Sequence, residues 1–396
     1  MLRVAYLFER FPSLGQTFAY REVAELKRQG ADVQVFSIRR PTNEPLEDWD
    51  PEIVRAVRYL PDERTLVKEV ETARDLPASA KRALEEWGRK TDFLRLHQAC
   101  WIGLRLQAEG IERAHAHFAG MAARTAYWLK RFFGIDYSLT ANANDIFAPR
   151  EFEISLPMLF AEATAVVTVS DFAVARLRER FPQHAARFHR VYNGLAVAEF
   201  QAGGAASVPA RIISIGRLIE KKGFTDLVDA CAKLRARDVE FRSELVGDGP
   251  LRPHLEAQIA AHEMGTCVRL RGAQTQREII DAFAEASVFA LACKPATDGD
   301  MDNLPTVIME AMAAGLPIVS THVAGIPEMV VDGVNGQLVA PGDTDALADA
   351  LARIISDPQL GREMGRRGRE MANEKFSIEA NVRTLAKILS SPSAKL

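Results

Sequence analysis

Residues 302–328 read DNLPTVIMEAMAAGLPIVSTHVAGIPE, and seven residues separate Asp302 from Glu310. A turn containing Pro305 follows the first acid, and an apolar run carries the second. Gly315 and Pro317 then stop a helix, Ile318–Thr321 reads as a short buried strand, and Gly325-Ile326-Pro327-Glu328 forms a second loop. A helix that opens in a tight turn directs unpaired N–H groups at whatever lies before it, so the stretch Asn303-Leu304-Pro305-Thr306 suits an anion such as a diphosphate. Glu310 lies too far along the helix to serve that anion. A carboxylate in an apolar helix needs donors, and a ribose diol supplies them. The segment therefore predicts a nucleotide-diphosphate site with a carboxylate at each end.

On both sides of this stretch the chain alternates strand and helix. In the first half, Arg3–Phe8 reads as a strand, Gln16–Gln29 as a helix stopped by Gly30, and Ala31–Ile38 as the next strand, which implies a parallel sheet. Residues 41–51 read as loop, and a charged, largely helical region follows to about Gly110. Further strands are expected at His115–Phe118, Tyr137–Thr140, Ala165–Val169 and Arg190–Tyr192. The pattern restarts with strands at Arg211–Ile215, Glu240–Val246, Val268–Arg271 and Val288–Leu291, separated by helices at Thr225–Arg235, Pro250–His262 and Arg277–Ala286. This predicts two doubly wound Rossmann-like domains facing a cleft: residues 1–195, and 210–376. Residues 196–209, with Gly203, Gly204 and Pro209, suit a hinge linker. The tail 377–396 is expected to be helical. The run GREMGRRGREMANEKF reads as a solvated helix face.

Gly216-Arg217-Leu218-Ile219-Glu220-Lys221-Lys222-Gly223 follows a strand and precedes a helix. Gly216 lets the backbone approach closely, and Arg217 with a following lysine, Lys221 or Lys222, can straddle a diphosphate. Fixed cations there stabilise the charge of a departing nucleoside diphosphate. Gly247-Asp248-Gly249-Pro250 also opens a helix, with glycines that permit positive φ. Gly15 and Thr17, flanking Gln16 at the first helix, suit close approach to phosphate or sugar. His115 and His117 alternate on a strand and face one side, with no Cys or acidic residue at ligand spacing beside them. Asp298-Gly299-Asp300 could recruit Mg²⁺, but reads more readily as solvated charge.

The Asp302-to-Glu310 segment resembles the signature of the retaining GT-B glycosyltransferases, the glycosyl transferases group 1, whose motif is Glu, seven residues, Glu. LPTVIMEAMA is most similar to the subgroup that builds bacterial exopolysaccharide, colanic-type and lipopolysaccharide sugars. The resemblance covers nearly the whole chain and implies an α/β GT-B fold whose final helix crosses back onto the first domain. It implies Asp302 at the donor sugar, Glu310 at the ribose, and Arg217 with Lys222 at the diphosphate. It places the Gly247-Asp248 loop beside the nucleotide, with the strand end Leu270-Arg271-Gly272 near the base. His117 is expected to line the cleft. The family commonly has His where this chain has Asn142; some members have His where it has Asn144. Asn can hydrogen-bond a sugar hydroxyl but carries no proton. Asp145 remains as a carboxylate, and the leaving phosphate can take the acceptor proton. Gln16 stands where the subgroup usually has Glu.

With 396 residues, 47% of them hydrophobic, the chain can bury two cores. A net charge of −3 argues against nucleic acid as a partner. Cys100, Cys231, Cys267 and Cys293 show no paired spacing and read as reduced residues of a cytoplasmic protein. No signal peptide or membrane span is apparent. Trp128-Leu129-Lys130-Arg131-Phe132-Phe133 interleaves aromatic and basic residues, as does Lys81–Arg105 with Trp87 and Trp101. Either offers a face for peripheral contact with the inner membrane, against the alternative of core aromatics with solvated cations. The expected activity is metal-independent, retaining hexosyl or N-acetylhexosaminyl transfer from a UDP- or GDP-sugar, with no cofactor, to a glycan, lipid-linked or small-molecule acceptor. A catalytically silent GT-B scaffold or regulatory subunit, and a nucleotide-sugar epimerase, are the alternatives.

Overall fold

A computed structural model describes residues 2–42, 49–87, 90, 92–201, 203 and 208–391. The expected loop at 43–48, Gly204 in the linker, residues 88, 89 and 91 of the second aromatic–basic span, and the last five residues of the tail lie outside the described residues. The chain forms two compact units. Unit 1 comprises residues 1–169, 173–194 and 378–396; unit 2 comprises 170–172 and 195–377.

Unit 1 opens with β1 (Arg3–Arg10), α1 (Thr17–Arg28) and β2 (Asp32–Arg39). The charged region then folds as α2 (Pro51–Arg55), β3 (Arg58–Tyr59), α3 (Glu63–Glu71), α4 (Ala78–Trp87) and α5 (Phe93–Glu109). Next come β4 (Arg113–His117), α6 (Met121–Phe133), β5 (Asp136–Thr140), α7 (Ala143–Phe147), α8 (Leu156–Glu162), β6 (Val166–Thr168), α9 (Asp171–Arg180) and β7 (Phe188–Arg190). The strands form one parallel sheet in the order β3-β2-β1-β4-β5-β6-β7. The interior residues of β1, Val4 to Phe8, are buried on both faces, as apolar runs in a helix-covered parallel sheet are. The strand expected at Arg190–Tyr192 lies two residues earlier, because Phe188 is the buried residue that pairs with Val166.

Unit 2 contains β8 (Ala210–Ile215), α10 (Phe224–Ala236), β9 (Phe241–Val246), α11 (Arg252–Ala261), β10 (Val268–Gly272), α12 (Gln276–Glu285) and β11 (Val288–Leu291). It continues through α13 (Thr306–Ala313), β12 (Ile318–Thr321), α14 (Ile326–Met329), β13 (Gly336–Val339), α15 (Thr344–Ser356) and α16 (Pro358–Lys375). Its sheet runs β10-β9-β8-β11-β12-β13, again all parallel. The last helix, α17 (Ile378–Ser390), belongs to unit 1 and packs on α1, burying Ile378, Val382, Leu385 and Leu389. Two parallel-sheet Rossmann-like units with this returning helix constitute the GT-B fold.

Two surface readings give way to packing. Trp128 and Phe132 belong to the core of unit 1, with Trp87 packed edge-on against Trp128; Lys130 and Arg131 are held by Asp136 and Glu162. Trp101 is likewise buried, its indole N–H bound to Glu69 at 2.7 Å, with Arg105 stacked on its ring. These aromatics are spent on the core. Helix α16 is also more than a solvated face. Its Gly365 lies so close to the turn after α13 that a Cβ would stand 1.9 Å from the Gly315 carbonyl oxygen. Arg369 donates to the carbonyls of Phe200 and Ala313. Among the described residues, no helix is long and apolar enough to cross a membrane.

Candidate functional site

The strand order of unit 2 reverses at β8, which has β9 on one side and β11 on the other. The loops after β8 and β11 therefore diverge at the carboxyl edge of the sheet, where open parallel sheets bind ligands. Residues 216–223 and 292–305 are those loops, and α13 follows the second.

Glycine ties them together. Gly223 adopts φ +66°, and a Cβ there would lie 1.7 Å from the Ala292 carbonyl oxygen. Gly247, at φ +135°, approaches the Gly216 carbonyl so closely that a Cβ would stand 1.9 Å away. Gly216 itself has room: the nearest atom to an added Cβ is on the flexible Lys222 side chain at 3.4 Å. The requirement for close approach, expected at Gly216, falls on Gly223 and Gly247. Asp248 closes its own turn by accepting from the Gly249 N–H at 2.7 Å, and the Gly247 N–H donates to the Gly272 carbonyl at 2.7 Å.

Lys222 Nζ stands 2.5 Å from Asp302 Oδ2. Lys221, only 3% exposed, places Nζ 2.7 Å from Asp300 Oδ2 and 3.7 Å from Asp302 Oδ1. Two consecutive lysines thus hold two carboxylates, and the structure gives them different partners. Burial alone would raise the Asp302 pKa; Lys222 and Lys221 outweigh it and lower it. Burial would lower Lys222, and the Asp302 carboxylate raises it instead. Cys293 also donates to Asp302 Oδ2, and burial pushes its thiol well above the usual range. Arg217 is exposed, and its charge reaches Lys222. The expectation of solvated charge at Asp298-Gly299-Asp300 fails at Asp300, whose carboxylate is committed to a buried lysine and whose N–H closes a turn on Asp298.

Pro305 caps α13 and Thr306 begins it. Leu304 is buried, and Glu310 is 4% exposed within the helix. Asn303 accepts from the Ser170 hydroxyl at 2.5 Å, while its buried Nδ2 has no hydrogen-bond partner among the described residues. A cavity of about 410 Å³ in this unit lies elsewhere, against β8, β9, β10 and α12; of the residues expected near the nucleotide, only Arg271 lines it.

In unit 1, Gly15 is exposed and Gln16 and Thr17 are half-buried at the start of α1. Asn142 is 8% exposed and caps α7; its backbone N–H donates to Asp145 Oδ2 at 2.9 Å. Its buried Nδ2 has no hydrogen-bond partner among the described residues. Burial raises Asp145 to about 6, against the opposing backbone hydrogen bonds from Asn142 and Ala119. The Asn142 backbone and the Asp145 carboxyl thus close the first turn of α7 at the carboxyl end of β5.

His117 does not line an open surface. It is 1% exposed, stacked on Phe8, with Nε2 3.0 Å from Glu22 Oε1. Its size and aromatic character suit the core, and α1 supplies the polar partner. The same glutamate accepts from Tyr6 Oη at 2.9 Å. The residues His115, His117 and Glu22 bring potential ligand atoms within 4.8 Å of one another, so an acidic partner does exist, contributed from far away in sequence. Both His115 nitrogens are already engaged, by Ser138 at 2.8 Å and Thr140 at 3.0 Å. Burial lowers its pKa to about 3, with His117 acting in the same direction, and it is neutral at ordinary pH. Only the i, i+4 placement of Glu22 after Phe18 on the apolar side of α1 hinted that it turns inward.

A family model described as "Glycosyl transferases group 1" matches residues 198–371. The putative colanic acid biosynthesis glycosyltransferase WcaL of Salmonella typhimurium is 27% identical over 98% of this chain and 99% of its own length. The amylovoran biosynthesis glycosyltransferase AmsK of Erwinia amylovora is 38% identical over 46% of this chain and 44% of its own. Among solved structures, an Anabaena protein, HepE, crystallised with UDP superposes with a TM-score of 0.74 at 18% identity, over 99% of this chain and all of that one.

Proposed function

We propose, from the match of residues 198–371 to the glycosyl transferases group 1, that this chain transfers a sugar, with retention of configuration, from a nucleotide-diphosphate donor to an acceptor in cell-surface polysaccharide assembly. The observation that carries this reading is the Lys222–Asp302 pair at the switch point of unit 2, directly before α13. A diphosphate arriving there competes for Lys222. Arg217 supplies a second cation, and the start of α13 supplies backbone donors. The carboxylate released from Lys222 is then free to accept from a sugar hydroxyl. Glu310 takes the ribose diol. Asn303, with its buried and unpartnered amide, and Asp248 complete the donor surroundings.

On the other unit, Asn142 offers its unpartnered amide to a sugar hydroxyl, with Asp145 fixing its backbone N–H. The acceptor proton passes to the leaving phosphate, and no metal is required. The UDP held by the Anabaena protein supports a nucleotide donor, and the colanic acid and amylovoran biosynthesis relatives support the polysaccharide setting. The donor is a UDP- or GDP-sugar, and the acceptor a glycan, lipid-linked or small molecule.

The test is a thermal-shift screen of UDP and GDP, followed by hydrolysis of the matching nucleotide sugars. One nucleoside diphosphate is expected to raise Tm, and Glu310→Ala is expected to abolish turnover while the protein still unfolds cooperatively. A purified Glu310→Ala protein turning over donor at the parent rate would remove the ribose assignment. Asparagine at both 142 and 144 favours one competing reading, a silent scaffold. That reading gains if donors bind and neither the parent nor Asn142→His transfers or hydrolyses them.

A further inference from the structure

Unit 1 buries two arginines that the donor site does not use. Arg95 stands in the first turn of α5 and Arg124 in the first turn of α6, 7% and 4% exposed. Between them in charge lies one buried carboxylate, Asp92, whose Oδ1 is 3.1 Å from Arg124 Nε. Arg95 Nη1, Arg124 Nη1 and Asp92 Oδ2 have no hydrogen-bond partner among the described residues. Glu9 acts electrostatically on both arginines but makes its ion pair with Arg39 instead, at 3.2 Å. Native interiors rarely leave guanidinium N–H groups buried and unmatched, and a missing ligand is one standard reason.

The position strengthens that reason. The strand order of unit 1 reverses at β1, flanked by β2 and β4. Glu9 lies at the carboxyl end of β1, and α6 leaves the carboxyl end of β4. The arginines therefore sit at this sheet's own switch point, where parallel sheets take ligands. Helices α5 and α6 precede and follow β4 and run antiparallel to it, so both amino ends, the positive ends of their dipoles, meet there. Phe152 lies over the Arg124 guanidinium, its ring centroid 3.4 Å from Cζ, yet it is 39% exposed. A large apolar ring left in solvent is a cover that a ligand can displace.

We propose that Arg95 and Arg124 form a binding site for an oxyanion, a phosphate or carboxylate group, carried by the acceptor. Two planar forks match the oxygens of either group, and Asp92 Oδ2 is left to accept from a neighbouring hydroxyl. Assignment to the acceptor rests on the transferase reading; the anion site does not. A lipid carrier's phosphate and a uronic acid's carboxylate share this chemistry.

Binding to the full chain is measured by calorimetry with inorganic phosphate, dodecyl phosphate and glucuronate, with UDP and GDP titrated separately. At least one oxyanion is expected to bind the parent. Its affinity should fall about tenfold or more in Arg124→Gln and Arg95→Met. It should rise in Glu9→Gln, a surface change that removes a competing charge and spares the core. Nucleotide affinity should be unchanged in all three. Stronger binding of dodecyl phosphate than of inorganic phosphate supports a lipid carrier, and preference for glucuronate supports an acidic sugar. The proposal is overturned if no oxyanion binds the parent, or if the affinity is lost only in Lys222→Ala, which places the ion in unit 2. If the arginine variants do not fold, unchanged affinity in Glu9→Gln overturns it. Nucleotide binding without oxyanion binding removes the anion site and leaves the transferase reading intact; the converse result removes only the latter.

Discussion

Asp302 and Lys222 set the expectations at the scale of single residues. Lys222→Ala should weaken nucleoside diphosphate binding by about 2 kcal/mol, roughly thirtyfold, read by calorimetry, because a charge-assisted phosphate contact is lost. Unchanged affinity would remove the diphosphate from this loop. Asp145 gives a pH signature of the opposite kind to a salt-bridged carboxylate. Its pKa is raised to about 6 from 3.8, so the folded state holds the proton more tightly than the unfolded one. The contribution is fully present below pH 4 and lost as pH rises through 6. Asp145→Asn keeps an acceptor for the Asn142 N–H and removes the charge. It should raise stability at pH 7.5 by at most about 3 kcal/mol, with the gain closing near pH 4; a pH-independent difference in urea midpoints would refute the assignment. Asp302, Glu310, Arg217 and Lys222 could be proposed from spacing because they lie within short stretches that flank a helix start. Spacing could not say which of two adjacent lysines is 3% exposed and bound to Asp300. Nor could it show that Glu22 meets two histidines from a distant strand, or that Arg95 and Arg124 turn inward, since arginine on a helix ordinarily reads as a solvated cation.

At the scale of elements, the loops of unit 2 depend on backbone contacts that only glycine permits. Gly247→Ala forces a Cβ against the Gly216 carbonyl at positive φ and should cost about 2–4 kcal/mol in urea unfolding. Gly216→Ala, with room for its methyl, should cost less than about 1 kcal/mol. Equal losses would contradict the contact geometry. Most helices and strands were legible because their apolar periodicity is strong and their ends carry Gly or Pro. The elements that escaped have weak local signals: β3 is two residues long, and β13 is four residues of which only alternate ones are buried. Helix α16 misled in the other direction. Its arginines advertised solvent, while Gly361, Gly365 and Gly368 carried the information that one side packs closely.

For the whole molecule, the decisive arrangement is a first unit made of three separated pieces of chain, the last of them the C-terminal helix. Helix α17 buries four apolar side chains on unit 1 and adds hydrogen bonds from Gln29 to the Glu379 carbonyl and from Arg113 to the Leu389 carbonyl. At about 1.5 kcal/mol or more per buried side chain, ending the chain at residue 377 should remove at least about 6 kcal/mol from unit 1. Calorimetry should then show unit 1 melting at a much lower temperature while the transition of unit 2 persists. A single unshifted transition would contradict this partition. The two α/β halves were readable from the restart of the strand–helix pattern near Arg211, whereas the return of α17 followed from resemblance, because nothing in its own residues names the partner it packs on. Two of the four points at which the chain passes between units, 194/195 and 377/378, are themselves neighbours. Leu195 bridges Ser377 and donates its N–H to the Phe376 carbonyl, while Gly194 lies so close to Ile378 that a Cβ would stand 2.4 Å from the Ile378 Cα. The long stretch of unit 2, residues 195–377, thus begins and ends with its two terminal residues side by side. A lineage could therefore exchange residues 195–377 in one piece by a single recombination at each end of that stretch, leaving unit 1 and its returning helix in place, with Ser170–Phe172 the part of unit 2 that stays behind.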